Sequence, residues 1–233
     1  MTAIRDNLKK VEEKIITACQ KAGRNPEEVK LVAVSKNHTV EKIVEAYNCG
    51  LRIFGENRVQ EAREKFSQIR FKDIEWHLIG HLQTNKVKYA VDIFSYIHSI
   101  DRIELAEKLE KRLERNNKII KGFIQVKLSH EETKHGVAKE DLIPLAEYCA
   151  GLKQIEIVGL MTVPPYFEDA EMVRPYFSEL RKLKDMLNEK VFNGKLTELS
   201  MGMTHDFHVA IEEGATYVRI GTGIFGERNY GGN

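Results

Sequence analysis

One lysine stands where an amine could do chemistry. The stretch Lys30-Leu-Val-Ala-Val-Ser-Lys36 is a short run of β-branched and small residues that ends in a single ammonium group. A continuous apolar run bounded by polar residues reads as a strand buried on both faces, as in a parallel sheet. At the carboxyl end of such a strand a lysine points to the edge where α/β barrels build their active sites. Desolvation there disfavours the charged form, and the neutral amine can attack a carbonyl to form a Schiff base. The competing reading is a lysine whose stem lies on the strand end while its head reaches water.

Two glycine-bearing segments offer a place for an anion. Ser200-Met-Gly-Met-Thr204 follows the seventh apolar segment and Gly221-Thr-Gly223 follows the eighth. Glycines let backbone N–H groups close on a phosphate, hydroxyls add donors, and a following helix adds positive potential. The loops after strands seven and eight are the usual phosphate site of a barrel. Read alone, Gly202, Gly221 and Gly223 are turn residues. Arg219 lies inside the otherwise apolar strand Tyr217-Val-Arg-Ile220. A buried guanidinium needs an acceptor, which is either a carboxylate on a neighbouring strand or a ligand ring nitrogen. His77 with His81, and His205 with His208, do not sit near a cysteine or carboxylate set with zinc spacing, so they are read as structural or loop residues and no metal is expected.

Alternating elements position these groups. Apolar residues at Ile4, Leu8, Val11, Ile15 and Ala22 predict an N-terminal helix, ended by Gly23 and Pro26. Strands are predicted at 30–36, 51–56, 75–80, 93–97, 122–128, 155–161, 198–200 and 217–220. Helices are predicted between them at 40–48, 58–66, through Val87 and Tyr89, from Asp101 as a cap with Glu104 three residues on, and at 139–149, 171–188 and 207–213. Eight strands alternating with helices in 233 residues predict a single (β/α)8 TIM barrel with an extra N-terminal helix, one domain over residues 1–233. A doubly wound open sheet is the runner-up.

Composition narrows the function. Thirty-six basic and 35 acidic residues leave a formal charge of +1, so no overall field points to nucleic acid or a membrane surface. Cys19, Cys49 and Cys149 are an odd number without metal spacing, which suits a reducing cytoplasm. The N-terminus lacks an apolar signal core, and no apolar run spans a bilayer. A cytoplasmic protein is expected.

A Schiff-base lysine together with a phosphate cradle calls for an aldehyde that carries a phosphate, and pyridoxal 5′-phosphate (PLP) fits. From Leu31 to Arg228 the sequence resembles the pyridoxal phosphate homeostasis protein family, whose barrel is similar to the N-terminal domain of alanine racemases. The motifs are Ala33-Val-Ser-Lys36, Phe54-Gly-Glu-Asn57, Trp76-His-Leu-Ile-Gly-His-Leu-Gln83 with Asn85-Lys86, Glu131-Glu-Thr-Lys134 with Gly136, Gly159-Leu-Met161, Ser200-Met-Gly-Met203, and Val218-Arg-Ile-Gly-Thr222 with Ile224-Phe-Gly226. The resemblance implies that Lys36 holds PLP as an internal aldimine with Asn57 beside it. It implies that Ser200, Gly221 and Thr222 bind the phosphate, that Arg219 faces the pyridine nitrogen, and that Met161 is a further cofactor contact. It implies no catalytic residue and no metal ligand. His38, Thr39, Gln125, Lys127 and the stretch Thr204-His-Asp-Phe depart from the common pattern, at the outer mouth.

A racemase-type enzyme needs a second β-domain and a tyrosine base from a partner subunit, and the chain stops at Asn233, just after its eighth unit. The expected role is therefore a carrier and buffer of PLP without efficient catalysis, a monomer with a weak dimer as the alternative, handing cofactor to apo PLP-dependent enzymes. The competing roles are a PLP-dependent racemase or lyase of low activity and a Schiff-base aldolase on a sugar phosphate.

Overall fold

The computed structural model describes residues 2–129, 131 and 135–227. Eight parallel strands close into a barrel in sequence order: β1 (Lys30–Val34), β2 (Ile53–Glu56), β3 (Glu75–Leu78), β4 (Tyr96–Ile100), β5 (Ile120–Gln125), β6 (Ile155–Met161), β7 (Glu198–Met203) and β8 (Tyr217–Ile220). Closure is made by β8 against β1, with Val32 opposite Arg219 and Ala33 opposite Ile220. The helices are α1 (Ala3–Ala22), α2 (Val40–Asn48), α3 (Val59–Gln68), α4 (Val87–Ile93), α5 (Ile103–Asn116), α6 (Leu142–Ala150), α7 (Arg174–Leu187), α8 (Phe207–Glu212) and α9 (Thr222–Phe225). The expected TIM barrel with an added N-terminal helix is what the chain forms. Most of the Glu131-Glu-Thr-Lys134 motif lies outside the described residues.

The main core lies between the strands and the helix ring, where the apolar stripes of the helices meet the outward side chains of the sheet. α1 belongs to that ring. Its stripe Ile4, Leu8, Val11 and Ile15 is buried, Asn7 Nδ2 donates to the Ile224 carbonyl at 3.1 Å, and Gly23 ends the helix in the left-handed conformation at φ 65°. Arg24 Nη1 then donates to the carbonyls of Ile211 and Ala215 at 2.7 and 2.9 Å. A smaller core of Val32, Tyr96, Phe123, Val158, Met161 and Tyr217 fills the barrel interior. Gly159 lets β6 approach β7: a Cβ there would stand 1.9 Å from the Glu198 carbonyl oxygen.

Three expectations about boundaries are corrected. Ile93 ends α4, and β4 runs over Tyr96–Ile100, so the predicted strand at 93–97 slips toward the C-terminus. Ile93 and the buried Phe94 belong to the helix packing, and the strand is harder to recognise because the inward His98 and the buried Ser99 interrupt its apolar pattern. β7 continues through Gly202, whose φ of 90° is left-handed, so Ser200 is an interior residue of the strand rather than its end. Asp101 does not cap α5. Arg102 is the cap residue, and the Asp101 carboxylate is paired with the Arg102 guanidinium instead.

Candidate functional site: a lysine-lined cavity at the barrel mouth

At the carboxyl ends of the strands lies a cavity of about 350 Å³ whose walls include Lys36, Asn57, Thr204, Arg219, Gly221 and Thr222. That volume is within the range of small-molecule sites, about 300–1,000 Å³. Five of the seven residues implied to touch a cofactor thus meet around one space, drawn from β8 and from the turns after β1, β2 and β8.

Lys36 is carried on a tightly anchored turn. Its neighbour Asn37 is left-handed at φ 62°, and the Asn37 N–H donates to Glu61 Oε1. Behind the turn, Glu56 is fully buried and accepts from Ser35 Oγ at 2.6 Å and from Lys65 Nζ at 2.7 Å. Lys65 Nζ also donates to the Ser35 carbonyl at 2.7 Å and to Glu61 Oε1 at 2.6 Å. Burial holds the Glu56 carboxyl above its ordinary range, against the opposing pull of Lys65.

The opposite wall is built by the last two units. Thr222 Oγ1 donates to Thr204 Oγ1 at 3.3 Å, and the Gly223 N–H donates to the same oxygen at 3.3 Å. A side chain at 223 would crowd this pair, because its Cβ would stand 2.8 Å from Ile220 Cγ2 and 3.1 Å from Thr204 Cγ2. Two hydroxyls beside a glycine pair give an anion short-range donors and close backbone approach.

Arg219 forms the floor. Its guanidinium donates from Nη1 to Ser200 Oγ at 2.7 Å and from Nη2 to the Thr162 carbonyl at 2.9 Å. The carboxylate that a structural pairing would require is not among its hydrogen-bond partners in the described residues. Burial pushes the group down to about 10, with a weaker opposing attraction from Asp206. Ser200 and Met161 lie one layer below the cavity. The Ser200 hydroxyl is engaged by Arg219 and His98, and Met161 is buried with Val32 and Tyr217.

The structure adds groups that spacing did not single out. Tyr166, 77% exposed, overhangs the cavity beside His205, whose Nε2 donates to the Glu168 carbonyl. His81 comes together with Asp101 and His135, their ligand atoms all within 4.8 Å. This grouping across the turns after β3, β4 and β5 is not visible from the spacing of His77 and His81. The two imidazoles are stacked at 4.0 Å and 17°.

Comparison with known proteins agrees with this geometry. The family model described as alanine racemase, N-terminal domain, matches residues 2–229. A pyridoxal phosphate homeostasis protein of Aquifex aeolicus is 51% identical over 225 residues, covering 97% of this chain and 98% of its own. One from Haemophilus influenzae is 38% identical, covering 97% of each. Among solved structures, PipY of Synechococcus elongatus with PLP bound superposes with a TM-score of 0.86 at 38% identity, covering 96% of this chain and all of that one. An alanine racemase from Corynebacterium glutamicum shares the fold at a TM-score of 0.69 and 20% identity, with the match covering 95% of this chain and 59% of the racemase. The protein is thus a barrel of the alanine racemase N-terminal-domain class. Within that class, the chain belongs to the pyridoxal phosphate homeostasis protein family.

Proposed function

We propose that the chain binds pyridoxal 5′-phosphate and serves PLP homeostasis as a carrier and buffer. The observation that carries this reading is one cavity shared by Lys36, Arg219 and the Gly221–Thr222 turn. Such a set matches the three parts of the ligand, and the relatives named for PLP homeostasis and the PLP-bound PipY support the choice. PLP supplies an aldehyde carbon that an amine can hold reversibly and a pyridine ring that can accept electrons.

In this reading Lys36 holds the aldehyde as a Schiff base, and Asn57 lies beside it. Gly221 and Thr222 hold the phosphate, with Ser200 acting from below through Arg219 and Met161 packing the layer beneath. Arg219 presents a permanently charged donor to the ring nitrogen, which stays unprotonated and draws electrons weakly. That favours storage over racemisation. The three free thiols, Cys19, Cys49 and Cys149, fit a reducing cytoplasm, and apo PLP-dependent enzymes are the recipients proposed. Among the described residues no helix is long and apolar enough to cross a membrane.

The test is the visible absorbance of purified protein given PLP, followed by borohydride reduction and peptide mass mapping. The adduct is expected on Lys36 and absent from Lys36→Ala. An adduct that persists in that variant overturns the assignment. Turnover of an amino acid at an ordinary enzymatic rate of roughly 1 s⁻¹ or more would replace the carrier with a racemase or lyase.

A further inference from the structure

The barrel interior below the cavity holds a line of polar side chains. Arg219 Nη1 is 2.7 Å from Ser200 Oγ, which is 2.8 Å from His98 Nδ1. His98 Nε2 is 2.9 Å from His77 Nδ1, and His77 Nε2 is 2.9 Å from Glu75 Oε1. Arg219, Ser200, His98 and His77 are buried, while the Glu75 side chain is 38% exposed at the start of β3, the opposite end of the barrel. The ring planes are fixed by stacking, His77 on Tyr96 at 4.2 Å and His98 on Phe123 at 4.3 Å.

The two ends dictate how every proton in the line is placed. An ionised carboxylate only accepts, so His77 must donate from Nε2. A neutral His77 then accepts at Nδ1, His98 donates from Nε2 and accepts at Nδ1, and the Ser200 hydroxyl donates to it. Ser200 is left accepting from Arg219, and a guanidinium can only donate. Both ends demand the same order. Burial holds both imidazoles below their ordinary range, which keeps them neutral.

We propose that Glu75, His77, His98 and Ser200 are positioning residues, forming a one-way hydrogen-bond line that orients the Arg219 guanidinium toward the ring nitrogen of a pyridoxal ligand. The ligand's identity rests on the function proposed above; the direction of the line does not. Each dipole turns its lone pair toward Arg219 and its hydrogen toward Glu75, so the line stabilises a cation at one end and an anion at the other. It does not conduct protons, because reversal would require Arg219 to accept one. Other charged or titratable groups bear on the line. Lys121 and Lys30 attract Glu75, Tyr96 and Tyr217 flank the rings, Lys30 is paired with Glu198, and Asp206 attracts Arg219. None of them interrupts the bonded sequence.

Nitrogen-15 NMR of histidine-labelled protein, with and without PLP, reads the line directly. Both His77 and His98 are expected as neutral Nε2–H tautomers at pH 7. Either ring as the Nδ1–H tautomer, or His77 as imidazolium, overturns the proposal. A second measurement compares PLP with its 1-deaza analogue, in which carbon replaces the ring nitrogen. Ser200→Ala and Glu75→Leu are expected to weaken PLP binding by about tenfold, the scale of one hydrogen bond to a charged group, and to leave the analogue within about twofold. Glu75→Gln keeps an acceptor for His77 and is expected to bind PLP within about twofold of the unaltered protein. Equal losses for both ligands would make the line purely structural and overturn its positioning role. If the unaltered protein binds neither ligand, the proposed function fails, while the tautomers still decide the direction of the line.

Discussion

The ammonium of Lys65 is bonded at 2.7 Å to the carbonyl of Ser35, the residue immediately before Lys36. A helix residue thus grips the turn that carries Lys36, and it does so while paired with Glu56 out of water. Removing one member of a buried pair leaves the other charge stranded, at a cost of about 3–5 kcal/mol. Lys65→Met is expected to lose stability on that scale and to weaken PLP binding, read by chemical denaturation and by absorbance. The double variant Lys65→Met with Glu56→Gln should recover much of the stability. A double variant no more stable than the single one would show that the ion pair is not the cause.

Thr222 is expected to contribute to phosphate binding and not to ring binding. Thr222→Val keeps the shape and removes the hydroxyl, so PLP should bind about tenfold more weakly, the effect of one hydrogen bond to a charged group. Pyridoxal, which lacks the phosphate, should be unaffected. Parallel titrations of the two ligands check this, and an equal loss for both would remove Thr222 from the phosphate site.

Acid should destabilise the fold through the interior histidines. Burial holds His77 and His98 below the ordinary value of 6.5 in the folded protein. As pH falls below 6.5 the unfolded chain takes up protons that the folded one refuses, so stability falls with pH by at most about 1.4 kcal/mol per unit for each ring. Denaturation midpoints at pH 8, 6.5 and 5.5 should fall slightly across the first interval and more steeply across the second. A midpoint unchanged at the lowest pH would contradict neutral, buried rings.

Gly159→Ala tests the closest approach of β6 and β7. The added carbon would meet backbone, the Glu198 carbonyl oxygen at 1.9 Å, which cannot rotate away. A loss of about 3 kcal/mol or more is expected in denaturant unfolding, larger than ordinary overpacking. A near-neutral result would mean that the two strands separate easily there.

Local pattern made much of the barrel readable. β6 and β8 lie where their mainly apolar runs, each interrupted by one charged residue (Glu156 and Arg219), place them, at Ile155–Met161 and Tyr217–Ile220, because largely buried strands carry a strong signal. β4 was displaced because its inward face carries His98, a residue that reads as a strand end when no partner is known. Lys36, Arg219, Gly221 and Thr222 were legible through their places at or beside strand ends. The line beneath them was not. Ser200 and His98 are 102 positions apart, and His98 and His77 are 21 apart. Only ring closure of the sheet brings them together. The meeting of His81 with His135 was hidden for the same reason.

The docking of α1 on the last βα units has a temporal consequence. α1 finds its packing surface and its Asn7 bond to Ile224 only once the distant β8–α9 segment is present. Until then both the helix stripe and the β1 edge that β8 will cover are left open to other chains. The cavity at the barrel mouth, lined by Lys36 and Asn57 on one side and by Arg219, Gly221 and Thr222 on the other, can form only once segments far apart in sequence have met.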